Sequence, residues 1–270
     1  MTITMDQQPR TRGPRSDRGS VRQTARDVEL LTWIAQQYAV PMDLLAVLMG
    51  KREGAGPRDL TTAYALVNRW KKAGWVQSGQ VDAGPPWVWP TQSTAAAFLE
   101  RKVTNWRPGL ARVAHLRAAA AVRLHQTGAD LTRWVGEREL TTRKFLGEGD
   151  RPGHRPDGVE VLDDGRRVAI EVELTPKNPQ RYWDPEKESG LLSEVRSAAL
   201  NAIGGPGNRS GEVAYWCTRE VRPVVARAIE QYQRSERVAR NRDPKYDISI
   251  RWHLMDIEEV PGWKWSTEAE

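Results

Sequence analysis

The chain has 270 residues, 39% of them hydrophobic and 28% charged, with a formal net charge of +6. That length allows one large or two small cores, and the basic balance favours polyanionic partners, nucleic acid above all. No run approaches the ~20 apolar residues of a membrane helix, the first residues lack a secretory apolar stretch, and the single cysteine, Cys217, excludes an internal disulfide and a cysteine-based zinc site. A soluble, cytoplasmic protein is the expectation.

Residues 1–23 are polar and carry Arg10, Arg12, Arg15, Arg18 and Arg22. So little apolar content reads as a disordered basic arm, able to follow phosphates or simply to stay solvated. Order is expected from Thr24, where Thr24 or Asp27 caps a helix to Tyr38 with Leu30, Leu31 and Ile34 at helical spacing. Pro41 opens a second helix through Leu44, Leu45 and Leu48, which Gly50 stops. A third helix, Asp59 to Ala73, turns Leu60, Tyr64, Val67 and Trp70 inward and Thr61, Thr62, Asn68, Arg69, Lys71 and Lys72 outward. After Gly74, Trp75–Val76 and Trp87–Trp89 read as two short strands about a turn containing Gly79, Asp82 and Gly84.

Three helices and then a hairpin give the winged form of the helix-turn-helix, assigned to residues 24–106, with the third helix in the major groove of duplex DNA. Arg58, Thr61, Thr62, Asn68, Arg69, Lys71 and Lys72 are the side-chain types that meet phosphates and base edges. A wing-bearing module that binds protein is the alternative.

A helix from Thr91 to Phe98 packs beside the wing, and Pro108 marks the joint to a second unit, residues 107–270. An alanine-rich helix from Leu110 to His125 presents Val113, Leu116, Ala120 and Leu124 on one face. Its His115 and His125 have no acidic or cysteine partner at metal spacing and read as structural. Next comes a helix carrying Glu137, Arg138 and Glu139, then His154-Arg155-Pro156-Asp157 and a strand through Val159, Val161 and Leu162. Asp163-Asp164-Gly165 is a hairpin signal, and the return strand is Val168 to Leu174.

On that strand Ala169, Glu171 and Glu173 share one face, while Ile170, Val172 and Leu174 face the core. Two neighbouring carboxylates repel each other unless a cation lies between them. Folding at the turn brings Asp157 level with Glu171, and hard oxygen donors of this kind suit Mg²⁺ or Mn²⁺, which polarises a phosphodiester and activates water.

Pro156-Asp157, a hairpin and Glu171-x-Glu173 resemble the PD-(D/E)xK nuclease motif. The resemblance implies metal binding by Asp157 and Glu171, with Glu137 in the place of an upstream helical glutamate. It departs from the pattern at Glu173, which stands where the family has lysine. Some members carry glutamate there and cleave DNA, others that lack the lysine are inactive, and Lys177 is a nearby substitute cation. The catalytic set is therefore Asp157, Glu171, Glu173 and Lys177. A helix from Glu186 to Ala202, a Gly204–Gly211 loop, a strand Val213–Cys217, a helix Arg222–Arg237 and a strand Ile248–Leu254 complete an α/β (α+β) fold with a restriction-endonuclease-like mixed sheet.

The whole order is similar to the replication-relaxation family of actinobacterial plasmids and mobile elements. The expected function is a Mg²⁺-dependent DNA endonuclease of plasmid or phage replication or transfer. A catalytically inactive DNA-binding regulator is the alternative. Enzymes of that fold commonly act as homodimers, which the residues leave open. A purely structural account also stands: Asp157 as a turn residue, and both glutamates neutralised by Arg166, Arg167 or Lys177.

Overall fold

The structure, a computed structural model, describes residues 22–140, 154–204, 210–242 and 249–265. The basic arm up to residue 21, the loop following Gly204 and the expected strand start at Ile248 lie outside the described residues. Among these residues eight helices and two sheets form a mixed α/β architecture.

Helix α1, Ala25–Gln37, begins at a full capping box in which the Thr24 and Asp27 side chains bond each other's backbone N–H. Strand β1, Val40–Pro41, leads into helix α2, Met42–Arg52, which runs through Gly50 instead of stopping there; this glycine serves a close approach, since an added Cβ would lie 1.9 Å from the Gly56 carbonyl oxygen. Helix α3, Leu60–Lys72, is capped by Asp59. Strands β2, Val76–Gly79, and β3, Trp87–Pro90, form the expected hairpin, and β1 adds to its other side in the order β1-β3-β2, antiparallel throughout.

Helix α3 turns differently from its apolar pattern. Ala63, Leu66, Val67 and Trp70 are buried, while Leu60 and Tyr64 are 46% and 41% exposed. The small Ala63 lets α3 approach α1 and α2 closely, so the large side chains one position away on the helical wheel are left outside.

Helix α4, Gln92–Phe98, follows the hairpin, and helix α5, Leu110–Gln126, lies between the two sheets. The sequence pattern gives α5 one apolar face, yet every residue from Leu116 to Leu124 is buried. One apolar cluster runs without a break from α1, α2 and α3 through α5. The alanines Ala118–Ala121 make this possible, because a helix with no bulk can be walled on both sides. Its polar members are paired: Arg117 binds Asp43 of α2, with Nη1 3.1 Å from Oδ1. The fully buried Arg123 donates to the Trp33 carbonyl and to Gln36, its guanidinium 4.5 Å from the Trp33 ring.

The second sheet has the order β4-β5-β6-β7-β8. Its strands are β4 Trp134–Gly136, β5 Gly158–Val161, β6 Arg167–Glu173, β7 Ser210–Cys217 and β8 Ser249–Asp256. The first three are antiparallel and the last three parallel. Val168, Ile170, Val172, Ala214 and Trp216 join the cluster around α5.

The opposite face is covered too. Ala169, Val213, Tyr215 and Cys217 pack against helices α6 (Pro179–Tyr182), α7 (Leu191–Gly204) and α8 (Arg222–Arg242). The face that carries Glu171 and Glu173 is therefore a second core, not an open surface, and both glutamates are buried. Two further expectations are corrected. Glu137–Leu140 form a turn directly after β4 instead of a helix, because β4 is held in strand conformation by its pairing with β5. Helix α7 starts at Leu191, not Glu186, after Gly190 at φ 153°.

Beyond β8 the chain returns to the first half. Ile257 and Val260 enter the cluster around α5, and Gly262 passes so near that an added Cβ would lie 2.8 Å from Leu44.

Candidate functional site

Strand register assembles the site. Gly136 pairs with Gly158, and Gly158 with Ile170. Just beyond these pairs the ladder changes: Asp157 donates its backbone N–H to the Ile170 carbonyl at 2.9 Å, which keeps it against β6, and its charge acts on both Glu137 and Glu171. Three carboxylates thus form a row at one end of β5, Glu137 from the turn after β4, Asp157 from the residue before β5 and Glu171 from β6. Only glycine fits directly after Asp157: a Cβ on Gly158 would lie 2.1 Å from the Trp134 ring.

Each carboxylate has a partner. Asp157 accepts the Val172 backbone N–H at 2.8 Å and shares a 2.7 Å hydrogen bond with His115 Nε2 of α5. Glu171 Oε1 lies 2.8 Å from His154 Nε2. Glu137 faces Arg112 at 3.7 Å, and Glu173 binds Lys177. Sequence reasoning left His115 and His154 without roles. Their partners lie 42 and 17 positions away, and only the passage of α5 over the sheet joins His115 to Asp157. The one signal available for His154 was its place three residues before Asp157.

The electrostatics follow from burial and crowding. The Asp157 charge, working against burial, pushes His115 up to about 9. Burial favours a neutral Asp157, but His115 and the Val172 N–H outweigh it and hold the carboxyl below its ordinary value. Burial, with the neighbouring Asp157 charge, pushes Glu171 up to about 7 despite His154. Burial also opposes the charged form of His154, but Glu171 overrides it and raises the imidazole. Glu137 is raised as well, by burial and then by Asp157.

Family models, curated proteins and solved structures give no match to this chain.

Among the described residues no set of three or more histidine, cysteine, aspartate or glutamate side chains is arranged to hold a metal ion. The pair Asp157 and Glu171 is chemically suited to a smaller role. Mg²⁺ is commonly bound through one or two carboxylates, its other positions going to water and substrate phosphate, and the crowding that raises Glu171 is what a divalent cation relieves.

The expected DNA-contacting residues divide in two. Thr61, Thr62, Asn68, Lys71 and Lys72 are exposed on α3. Arg69 turns back to the buried Asp27 of α1, and Arg58 binds Glu53. Of the cations considered as neutralisers of the glutamates, Lys177 binds Glu173, while Arg166 binds Asp164 and Glu212. A groove of about 540 Å³ beside the hairpin, lined by Gln77, Thr91, Gln92, Lys102 and Asn105, lies apart from the carboxylates.

Proposed function

We propose that the chain is a DNA-binding, metal-dependent endonuclease-like protein, with a winged-helix unit in its first half and a PD-(D/E)xK-like unit in its second. The observation that carries this reading is the gathering of Glu137, Asp157 and Glu171 at one end of β5, where the Asp157 charge acts on both glutamates. The succession of α1, β1, α2, α3 and the β2–β3 hairpin supports the winged helix. The exposed Thr61, Asn68, Lys71 and Lys72 on α3 suit a DNA duplex.

In this reading Asp157 and Glu171 hold Mg²⁺ or Mn²⁺, with Glu137 beside them. The bound cation supplies a polarised phosphodiester and a more acidic water. His115 fixes Asp157 from α5. His154 holds Glu171 through the contact at 2.8 Å and would balance its charge while no cation is bound. Glu173 and Lys177 act as a joined pair that orients water at the edge of the site. The resemblance to replication-relaxation proteins adds a role in plasmid or phage replication or transfer.

One observation favours the second reading, a non-catalytic DNA-binding regulator: the four acidic side chains already have basic protein partners. Calorimetric titration of Mn²⁺ with parallel nicking of supercoiled plasmid separates the two. The nuclease reading expects binding and nicking by the unmodified protein, both lost in Asp157→Ala and Glu171→Ala. DNA binding that persists with neither metal uptake nor nicking would establish the regulator.

A further inference from the structure

The parallel strands β6, β7 and β8 begin along one edge of the second sheet. Ser210 pairs with Ser249, and Glu212 with Arg251. At this edge lies a cavity of about 200 Å³ lined by Arg166, Arg167, Ser210, Glu212, Ser249 and Arg251. It is separate from the carboxylate row. Arg167 and Glu171 are four positions apart on β6, about 13 Å of strand.

Glu212 is the anchor of this cavity, its side chain only 16% exposed. It receives Arg166 Nη1 at 2.5 Å and His253 Nε2 at 3.1 Å, and Arg251 Nη1 stands at 3.7 Å. One half-buried carboxylate needs one cation, yet three basic side chains converge on it and Arg167 lines the same cavity. Asp164 also binds Arg166.

The Arg166 and Arg251 side chains remain 53% and 74% exposed. A guanidinium has five N–H donors, so Arg251, loosely held on one side, keeps donors directed to solvent. Two serine residues stand at the rim. Solvent-facing guanidinium donors, serine hydroxyls and a carboxylate that fixes the arginines in advance make a site prepared for a tetrahedral oxyanion.

We propose that this edge binds a phosphate group, with Arg251 and Arg166 as its principal ligands and Ser210 and Ser249 as neutral donors. The phosphate belongs either to a nucleic-acid backbone or to a free phosphate compound. Both present the same oxygens to the arginines.

Inorganic phosphate is titrated into the full-length protein at low salt by calorimetry, beside Arg251→Ala. DNA binding is then measured across a salt series. Arg251 is well exposed, so the substitution leaves the fold intact, which the melting temperature checks. The proposal expects Arg251→Ala to weaken phosphate binding by about tenfold or more. A backbone phosphate also predicts weaker DNA binding and a salt slope reduced by about one in magnitude. A free phosphate compound predicts unchanged DNA binding with the phosphate loss intact. Unchanged phosphate and DNA binding in Arg251→Ala, or no phosphate binding by the unmodified protein, overturns the proposal. These readouts need neither metal nor cleavage, so they stand apart from the nuclease reading.

Discussion

Replacing Asp27 by alanine removes one buried carboxylate and strands several donors at once. Asp27 accepts the Thr24 backbone N–H at 2.9 Å, the Thr24 hydroxyl at 2.8 Å, the Trp70 indole N–H at 2.8 Å and the Arg69 guanidinium. The broken capping box costs about 1 kcal/mol. The indole of Trp70, itself fully buried, is left unsatisfied at about 1–3 kcal/mol. Arg69 is partly exposed and regains water, so its loss adds at most about 1 kcal/mol. The expected destabilisation is about 2–5 kcal/mol, or roughly 10 °C in melting temperature for a chain of this size.

Urea denaturation followed by tryptophan fluorescence measures the change. Burial favours the neutral acid at Asp27, but the Thr24, Trp70 and Arg69 hydrogen bonds outweigh it and hold the carboxyl below its ordinary value. Its contribution is therefore present above the unfolded pKa of about 4. It is lost as the pH falls through the lower folded value, and Asp27→Asn flattens that acid limb. A loss under 0.5 kcal/mol in Asp27→Ala, a magnitude ordinary for a surface substitution, would refute the account.

The other predictions concern α3, the sheet and the cysteine. Lys71→Ala with Lys72→Ala should reduce the salt slope of DNA binding by about two in magnitude, whereas Arg69→Ala should mainly lower the melting temperature, since Arg69 is held by Asp27; equal salt slopes for the two would contradict the assignment. Gly158→Ala sets a Cβ 2.1 Å from the buried Trp134 ring, and a loss of at least about 1–3 kcal/mol in chemical denaturation is expected. Burial, then the Glu173 charge, pushes the Cys217 thiol up to about 12, so a thiol reagent at pH 8 should label it only on unfolding; rapid labelling of the native protein would count against the packing described.

Much of the first half was legible because its signals are local. The Thr24 cap and the stop at Gly74 each act within a few residues, as does the Asp163-Asp164-Gly165 turn of the second half, whereas α2 runs through Gly50 to Arg52. The facing of α3 was not legible, because Leu60 and Tyr64 outweigh the small Ala63 on any apolar scale while packing space favours Ala63. Glu171 and Glu173 read as an open face because β6 alternates. Their burial arises from parallel pairing with β7, whose crossover helices cover the face that carries them while α5 covers the other. Asp157 and Glu171 were found from their spacing, but the histidines that hold them required the tertiary fold.

The alanines of α5 act as a shim of fixed thickness. With α2 on one side and β6 on the other, Ala118–Ala121 set the distance between the surface that carries Lys71 and Lys72 and the strand that carries Glu171. A larger side chain at any of these positions would push α5 away from the neighbour that position faces. Whatever the α3 surface grips is therefore held at a constant offset from the carboxylate row, a ruler whose length is written in methyl groups.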